Sequence, residues 1–390
     1  MPIAMPLALT PDPTGRPDIA ALLRRLVRDD ASDLCVKVGS PPLMRINGAL
    51  QHVDDAFAPL TAADTLEMLH AILPDARVKE FETAHEVDFA YSVPSLARFR
   101  VNAYMQRGSI SMVFRVVPYA IQKLDELGLP PVLHELADEQ RGIILVTGTT
   151  GCGKSTTLAA IIEHINSTAF KHIVTIEDPI EFLHRDDKAA IDQREVGTDT
   201  ESFATALRRV LRQDPDVIMI GELRDEQTIR TAMSAAETGH LVLTTVHTLD
   251  AAETINRILD FFPPDQHTQA RAMLAGTLKG IISQRLVPRA DGNGRVAITE
   301  IMTMTGRVHD MIVDSSKTAK LTDVIEDGGY YGMQTFDQAL YAALKAGDVS
   351  MEDALRTATR PHDLKLLVSA QGHLHTTMED VNQPAAGPVA

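Results

Sequence analysis

The chain has 390 residues, a formal net charge of −16 and 44% hydrophobic residues. This length exceeds the size at which one hydrophobic core usually keeps growing, so it predicts a globular protein with two domains. The acidic balance argues against a surface that wraps nucleic acid, because phosphate contacts need clustered Lys and Arg. No segment has the length and hydrophobicity of a membrane-spanning helix or the pattern of a secretory leader, which predicts a cytoplasmic location.

The first third of the chain predicts a tail followed by a small domain. Residues 1–18 are proline-rich and predict a disordered tail. In residues 19–117, runs of extended segments with few helices between them indicate an α+β domain. Its predicted elements are a helix from Ile19, strands near 34–38, 87–93, 98–104 and 110–117, a turn at Asn47-Gly48 and a helix over 62–73. Pro118 opens a less periodic linker, residues 118–123.

From Leu124 the pattern changes to alternating strands and helices. Short apolar segments predict strands over 142–147, 172–176, 217–220 and 241–246, with helical periodicity between them. This alternation over residues 124–304 is typical of an α/β fold with a parallel sheet covered by helices on both faces. Residues 305–371 predict a helical region, with its clearest segments over 333–345 and 351–357. Residues 372–390 predict a second disordered tail.

The segment Gly148 to Ser155 matches the phosphate-loop pattern G-x-x-x-x-G-K-[ST]. A predicted buried strand precedes it and a predicted helix follows it, which is the setting that the pattern requires. Its backbone N–H groups would surround the phosphates of ATP, Lys154 would reach the terminal phosphoryl group, and the Ser155 hydroxyl would bind Mg²⁺. The expected nucleotide contacts are Gly148, Thr149, Thr150, Gly151, Cys152, Gly153, Lys154, Ser155 and Thr156. A glycine-rich turn that binds nothing is the alternative.

Acidic side chains follow two other predicted strands, at the edge where an open α/β sheet binds its ligand. Glu177 and Asp178 end the second strand of this region and are candidates for holding Mg²⁺, directly or through water. Glu181, nearby, is more typical of a solvated turn. The position before Glu222 is Gly221, where nucleotide hydrolases usually carry Asp, so Glu222 is free to polarise the attacking water. A structural Glu that caps the next helix is the alternative.

Two histidines bracket the strand over 241–246. His247 follows the strand among Thr244, Thr245 and Thr248, where polar side chains can contact the γ-phosphate. His240 precedes the strand and is equally consistent with a nucleotide contact or with a role in orienting the chain.

Four ordered motifs resemble the Walker A, Asp box, Walker B and His box of bacterial secretion and type IV pilus ATPases. They are G-T-T-G-C-G-K-S-T-T, T-I-E-D-P-I-E-F, L-R-Q-D-P-D-V-I-M-I-G-E-L-R-D and A-E-T-G-H-L-V-L-T-T-V-H-T. Two further segments, A-S-D-L…G-S-P-P and G-M-Q-T-F-D, resemble the twitching-motility branch of PilT and PilU type. The resemblance covers all of the chain except its tails.

This resemblance implies a PAS-like N-terminal domain, a RecA-like ATPase core and a homo-hexameric ring at the cytoplasmic face of the inner membrane. The ring would act on the membrane platform protein of the pilus, with no nucleic acid as partner. In the family, arginines of the N-terminal domain approach the phosphates, and the matching positions are Arg98, Arg100 and Arg115. A solvated strand face is the alternative for these three, and Arg208, Arg212 and Arg224 are weaker candidates.

Two departures from the family pattern bear on the function. Retraction motors commonly carry a basic A-I-R-N-L-I-R segment, whereas residues 307–313 read R-V-H-D-M-I-V, with both arginine positions lost. This places the chain nearer the accessory, PilU-like members, which could modulate a paralogous retraction ATPase. Cys152 stands where a small hydroxyl or glycine is usual, as a size match or an oxidisable thiol. Extension and secretion motors, which usually have an extra N-terminal domain and a four-cysteine zinc motif, and a DNA translocase are the more distant alternatives.

Overall fold

The structure is a computed structural model that describes residues 18–46, 48–54, 57–94, 96–117 and 120–370. Both predicted tails, apart from Asp18, therefore lie outside the described residues. So do Asn47 of the predicted turn and residues 118 and 119 of the predicted linker. The chain divides into two compact units: the first runs through Ala120 and includes residues 179–183, and the second comprises the rest.

The first unit contains a six-stranded antiparallel sheet with the strand order β3-β2-β1-β6-β5-β4. Helix α1 packs on it through Leu22, Leu23 and Leu26, the apolar residues that recur on one helical face. The elements are α1 (Ile19–Arg28), β1 (Asp33–Lys37), β2 (Leu43–Ile46), β3 (Ala49–His52), α2 (Ala62–Ile72), α3 (Asp75–Ala84), β4 (Glu86–Val93), β5 (Ala97–Gln106) and β6 (Ser109–Val117). The predicted helix over 62–73 and the three long strands are confirmed. Helix α3 was not predicted, and none of its residues is buried.

The second unit contains a seven-stranded sheet with the order β13-β12-β7-β11-β10-β8-β9. Its strands are β7 (Gly142–Thr147), β8 (His172–Glu177), β9 (Ala190–Glu195), β10 (Val217–Ile220), β11 (Leu241–Val246), β12 (Leu278–Pro288) and β13 (Arg295–Thr303). The four predicted strands β7, β8, β10 and β11 are confirmed as a parallel array. The predicted parallel sheet is confirmed only in this part, because β12 and β13 form a long antiparallel pair at one edge.

Helices cover both faces of this sheet, as the alternation predicted. Ile143 and Leu145 of β7 pack into one apolar cluster, whereas Ile144 and Val146 pack into another, because successive side chains of a strand point to opposite faces. The helices are α4 (Val132–Ala137), α5 (Lys154–Thr168), α6 (Phe203–Val210), α7 (Glu226–Glu237), α8 (Ala251–Leu259) and α9 (His267–Thr277).

The end of the described chain is helical, as the sequence predicted. Helices α10 (Gly306–Val313), α11 (Leu321–Asp327), α12 (Phe336–Ala346), α13 (Met351–Thr357) and α14 (Pro361–Ala370) follow β13. Phe336, Leu340 and Leu364 form an apolar cluster with Val287 of β12 and Ile298 of β13. The antiparallel edge of the sheet therefore supplies the surface on which the C-terminal helices pack.

Strand register brings the predicted chemistry to one edge of the sheet. Thr147, the last residue of β7, is paired with Val246 at the end of β11. Ile220, at the end of β10, is paired with Thr244 on one side and Ile176 on the other. The segments that follow β7, β8, β10 and β11 consequently leave the sheet at the same edge.

Candidate nucleotide site

The segment between β7 and α5 forms a tight loop whose backbone needs glycine. Gly148 has a φ of 137°, and a Cβ there would lie 2.5 Å from both the Cys152 sulfur and the Gln284 carbonyl oxygen. Gly153, with a φ of 92°, precedes the first turn of α5, and a Cβ there would lie 2.7 Å from the Gln284 amide nitrogen. Larger residues at these two positions would strain the backbone and collide with β12.

Lys154 places a buried ammonium group inside this loop. The Nζ of Lys154 donates hydrogen bonds to the carbonyl oxygens of Gly148 at 2.8 Å and Thr149 at 3.0 Å. Only 8% of the surface of Lys154 is exposed. Burial lowers the pKa of Lys154 below its usual value, and the negative charge of Glu222 partly opposes this shift. A desolvated cation held by two neutral carbonyls is stabilised by an added anion, so the loop fits phosphate groups.

Gln284 of β12 supports the loop from within the protein and was not predicted from the sequence. Its amide nitrogen donates to the Cys152 carbonyl at 2.7 Å, and its amide oxygen accepts from the Thr157 hydroxyl of α5 at 2.7 Å. Both polar ends of this buried side chain therefore bind the phosphate loop and the helix that follows it. The neighbouring Ser283 accepts a hydrogen bond from Thr147, the last residue of β7, at 3.0 Å.

Glu222 lies among three polar side chains. Its Oε2 is 3.6 Å from His247 Nε2, while His247 Nδ1 is 3.5 Å from the Lys154 ammonium. Glu222 Oε1 accepts a hydrogen bond from Arg224, whose other terminal nitrogen lies 3.5 Å from Asp178 Oδ2. The structure thus links five residues from four segments of the sheet edge. Arg224 pairs with the predicted water-activating carboxylate, a contact that the motif alone does not reveal.

Glu177 has different partners from Asp178, although the two are adjacent. Its buried carboxylate accepts hydrogen bonds from Thr175 at 2.7 Å and from Gln193 of β9 at 3.1 Å. Strand β8 is the third strand from β7, which corresponds to about 14 Å at the usual strand spacing. Ser155 is an exposed residue in the first turn of α5, directly after Lys154. Glu181, grouped with the first unit, lies 3.9 Å from Arg100.

The two histidines that flank β11 lie at opposite edges of the sheet. His240 precedes Leu241, which is paired with Gly142 at the start of β7, about six residues or 20 Å from the phosphate loop. Its Nδ1 lies 2.9 Å from the Ala235 carbonyl oxygen, so the ring fixes the end of α7. The predicted nucleotide contact of His240 is therefore not supported by this geometry, and His247 alone of the pair lies beside Lys154.

The three N-terminal arginines have partners within the first unit. Arg98 donates to the Ser92 hydroxyl at 3.2 Å, and Arg115 donates to Asp33 at 2.8 Å. Arg100 and Arg115 are directly opposite each other on β5 and β6, and Asp33 of β1 is opposite Arg115. Asp33 also lies opposite Arg45 of β2. Arg45, Asp33, Arg115 and Arg100 thus form a cross-strand row, in which the buried Asp33 carboxylate pairs with the guanidinium groups of Arg115 and Arg45.

A buried carboxylate supports the segment that follows His247. Glu300 of β13 accepts a hydrogen bond at 2.9 Å from the backbone N–H of Ala251, the first residue of α8. Burial raises the pKa of Glu300 to about 7 from its ordinary 4.5, because the site offers the carboxylate little solvation; the charges of Asp250 and Asp337 add to the shift. Sequence patterns gave no signal for this residue.

Comparisons with known proteins agree with the geometry. The family described as type II/IV secretion system protein matches residues 75–356. The type IV pilus retraction ATPase PilT of Pseudomonas aeruginosa is 43% identical over 346 residues, covering 89% of this chain and 99% of that protein. The type IV pilus ATPase PilU of the same organism is 42% identical over 347 residues, covering 89% of this chain and 90% of that protein.

A solved structure extends the likeness to the fold. The crystal structure of the pilus retraction motor PilT with bound ADP has a TM-score of 0.83 and 41% identity, covering 90% of this chain and 99% of that one. The fold combines an N-terminal antiparallel sheet with a second, mostly parallel sheet, as in that ATPase. Among the described residues, no helix is long and apolar enough to cross a bilayer. The chain belongs to the type II/IV secretion system protein family and, within it, to the PilT/PilU type of pilus ATPases.

Proposed function

We propose that this chain hydrolyses ATP with Mg²⁺ as part of a homo-hexameric motor that powers retraction of a type IV pilus. The observation that carries the proposal is the convergence of Lys154, His247 and Glu222 at the edge of the sheet beside a phosphate loop. The relatives with retraction in their names, including the ADP-bound motor, share more than two fifths of their residues with this chain.

The proposed hydrolysis assigns a separate task to each of these groups. Lys154 exchanges the two loop carbonyls for the terminal phosphoryl oxygens, which compensates its buried charge. Glu222 breaks its hydrogen bond with Arg224, orients the attacking water and takes up a proton from that water. Released from Glu222, Arg224 is free to stabilise the charge on the transferred phosphoryl group, and His247 contacts the same group.

The side chains near the loop also suit a Mg²⁺ ion. The Ser155 hydroxyl would hold it, and Asp178 would act through water, since Mg²⁺ usually keeps several waters and takes one or two protein ligands. Glu177, fixed by Thr175 and Gln193, would orient Asp178 and that water from the next position of the chain. When bound, the metal neutralises charge that develops between the β- and γ-phosphates.

The proposal also includes the domain bounds of the chain and its assembly into a ring. We assign residues 19–117 to a PAS-like domain, 124–304 to a RecA-like core and 305–371 to a C-terminal helical region, joined by a linker at 118–123. The N-terminal arginines would complete each nucleotide site in the ring. The ring would act on the platform protein of the pilus at the inner face of the cytoplasmic membrane.

An accessory role is the second candidate, and a specific observation favours it. The segment over 307–313 forms most of α10, and its exposed residues His309 and Val313 stand where the retraction-motor pattern A-I-R-N-L-I-R carries arginines. Arg307 pairs with Asp327 at 3.5 Å. In this role the chain would bind ATP and modulate a paralogous retraction ATPase.

Deletion of the gene, with scoring of surface pili and twitching, tests the proposal. Abundant but immobile pili are expected for a retraction motor, whereas absent pili would contradict it in favour of extension. Steady-state turnover of the purified chain then separates the two candidates. A motor hydrolyses ATP in the absence of other proteins, whereas an accessory subunit binds ATP but needs its paralogue for rapid hydrolysis.

A further inference from the structure

Two histidines and two aspartates form a cluster on the second unit away from the phosphate loop. His134 of α4 and His164 of α5 face each other, with their Nδ1 atoms 3.2 Å apart. His134 Nε2 lies 2.9 Å from Asp125 Oδ1, and His164 Nε2 lies 3.1 Å from Asp138 Oδ1. His164 is ten residues along α5 from Lys154, which corresponds to about 15 Å. We use the name histidine pair for His134 and His164.

The contacts of the histidine pair determine where its protons lie. An ionised carboxylate can only accept, so each Nε2 has to carry the hydrogen that it donates. A neutral imidazole has one such hydrogen, which leaves a lone pair on each Nδ1. Two lone pairs 3.2 Å apart repel unless a cation satisfies them. The cluster therefore needs either a proton shared between the rings or a metal ion bound by both.

Distance and charge favour the metal ion. Ligand nitrogens lie about 2.0–2.1 Å from Zn²⁺, so two ligands of a tetrahedral centre are about 3.3 Å apart, close to the observed spacing. Metal-binding histidines usually donate their second N–H to a carboxylate, as both rings do here. The charge of the two aspartates is fully neutralised by a dication and only half neutralised by one proton. We propose that the histidine pair binds one divalent transition-metal ion of the Zn²⁺, Ni²⁺ or Cu²⁺ class.

The remaining ligands of this site would be water molecules. No group of three or more His, Cys, Asp or Glu side chains is arranged to hold a metal ion in the part of the chain that the structure describes. The side chains of His134 and His164 are 31% and 17% exposed, so water can reach the metal position. Binding would connect α4 to α5, the helix that begins at the phosphate loop, and would stabilise their packing by linkage.

Calorimetric titration of the untagged full-length chain with Zn²⁺, without nucleotide or Mg²⁺, tests the site. We expect saturable binding of one ion per chain. His164→Gln should weaken binding at least tenfold, and Asp125→Asn about tenfold because it removes the orienting carboxylate. His70→Gln, an exposed histidine of α2, is the matched control and should bind as the wild type does.

Electron paramagnetic resonance with Cu²⁺ is a second measurement, and it detects whether nitrogen atoms bind the metal directly. A histidine pair with a purely structural role would give no such signal. The spectrum should show coupling to two nitrogens in the wild type and to one in His164→Gln. Equal Zn²⁺ affinity in the wild type and His164→Gln would overturn the proposal. Absence of saturable binding would do so as well, and a shared proton would then be the cation of the cluster.

Discussion

Lys154 and Glu222 carry opposite charges at the same sheet edge, and the proposed mechanism gives them separable tasks. Lys154→Ala removes the buried cation, so ATP affinity should fall by roughly a hundredfold, the size of a lost charge-assisted contact. Glu222→Gln keeps the shape of the side chain but cannot take up a proton. It should retain ATP affinity and lower turnover by about 10²–10⁴-fold. Nucleotide binding and steady-state hydrolysis measure the two effects.

Glu226→Gln is the control for the Glu222 substitution. Glu226 lies four residues further along the chain and pairs with Arg230 on the surface of α7. Its substitution should leave turnover within about twofold of the wild type, since exposed ion pairs contribute little. Wild-type turnover by Glu222→Gln would remove Glu222 from the proposed mechanism.

Glu300 makes a pH-dependent contribution to stability. Because its folded pKa of about 7 lies above the ordinary 4.5, the folded state keeps a proton that the unfolded state has released between these values. Stability should therefore fall as pH rises from 4.5 to 7, by about 3 kcal/mol at most. Glu300→Gln keeps an acceptor for the Ala251 N–H without the ionisation. The variant should be more stable than the wild type at pH 8 and similar at pH 4.5.

Thermal unfolding at the two pH values measures this difference. Glu237→Gln, an exposed substitution at the end of α7, is the control and should shift the melting temperature equally at both. An equal shift for Glu300→Gln at pH 4.5 and pH 8 would contradict the assigned ionisation.

Candidate site residues could be named from the sequence, whereas their contacts could not. The spacing of Gly148 to Ser155 predicts a phosphate loop because few other arrangements use that pattern. The pairing of Glu222 with Arg224 depends on side-chain directions at the strand end, which a motif does not encode. For His240 the sequence already indicated the edge, because this residue precedes its strand, but it did not reveal the contact with the Ala235 carbonyl.

At the scale of elements, β12 links the phosphate loop to the body of the sheet through Gln284. Gln284→Leu preserves the size of the side chain but leaves the Cys152 carbonyl and the Thr157 hydroxyl without this partner. Each such loss costs about 1–3 kcal/mol when the group stays buried. We expect ATP affinity to fall by about tenfold or more, together with thermal stability.

Gln334→Leu separates the effect on the loop from the effect on stability. Gln334 donates to the Thr299 carbonyl at 2.8 Å and to the Thr299 hydroxyl at 3.1 Å, on β13. Its substitution should lower the melting temperature without changing nucleotide affinity in the folded protein. Equal losses of ATP affinity in both variants would show that Gln284 acts through general stability alone.

The antiparallel pair β12 and β13 was missed for a physical reason. Gly280, Ser283, Gln284 and Arg285 interrupt the apolar pattern of β12. The polar side chains have separate partners: Gln284 binds the phosphate loop, Ser283 binds the last residue of β7, and Arg285 donates to the Thr357 carbonyl. Strands β7, β8, β10 and β11 were predicted because burial on both faces makes them short apolar runs. Helix α3 lacked an apolar face, so its periodicity gave no signal.

At the scale of the whole molecule, the proposed ring depends on the N-terminal arginines. Arg100→Ala should lower hydrolysis by roughly a hundredfold, on the order of other losses of a charge-stabilising arginine, with a smaller effect on ATP affinity. Arg45→Ala is the matched control, because Arg45 lies in the same cross-strand row at the β2 end. Steady-state turnover and nucleotide binding of the two variants measure the difference. Equal turnover would indicate that Arg100 lies on a solvated strand face.

Mixing variants tests whether a neighbouring subunit supplies this arginine. In an equal mixture of Arg100→Ala and Lys154→Ala chains, about one interface in four of a head-to-tail ring combines an intact phosphate loop with an intact arginine. Turnover should then recover to about a quarter of the wild-type value, although each variant alone is nearly inactive. Subunit exchange has to be verified with differently labelled chains. Absence of recovery in verified mixed rings would place Arg100 in the site of its own subunit, because no mixed interface could then restore both groups to one site.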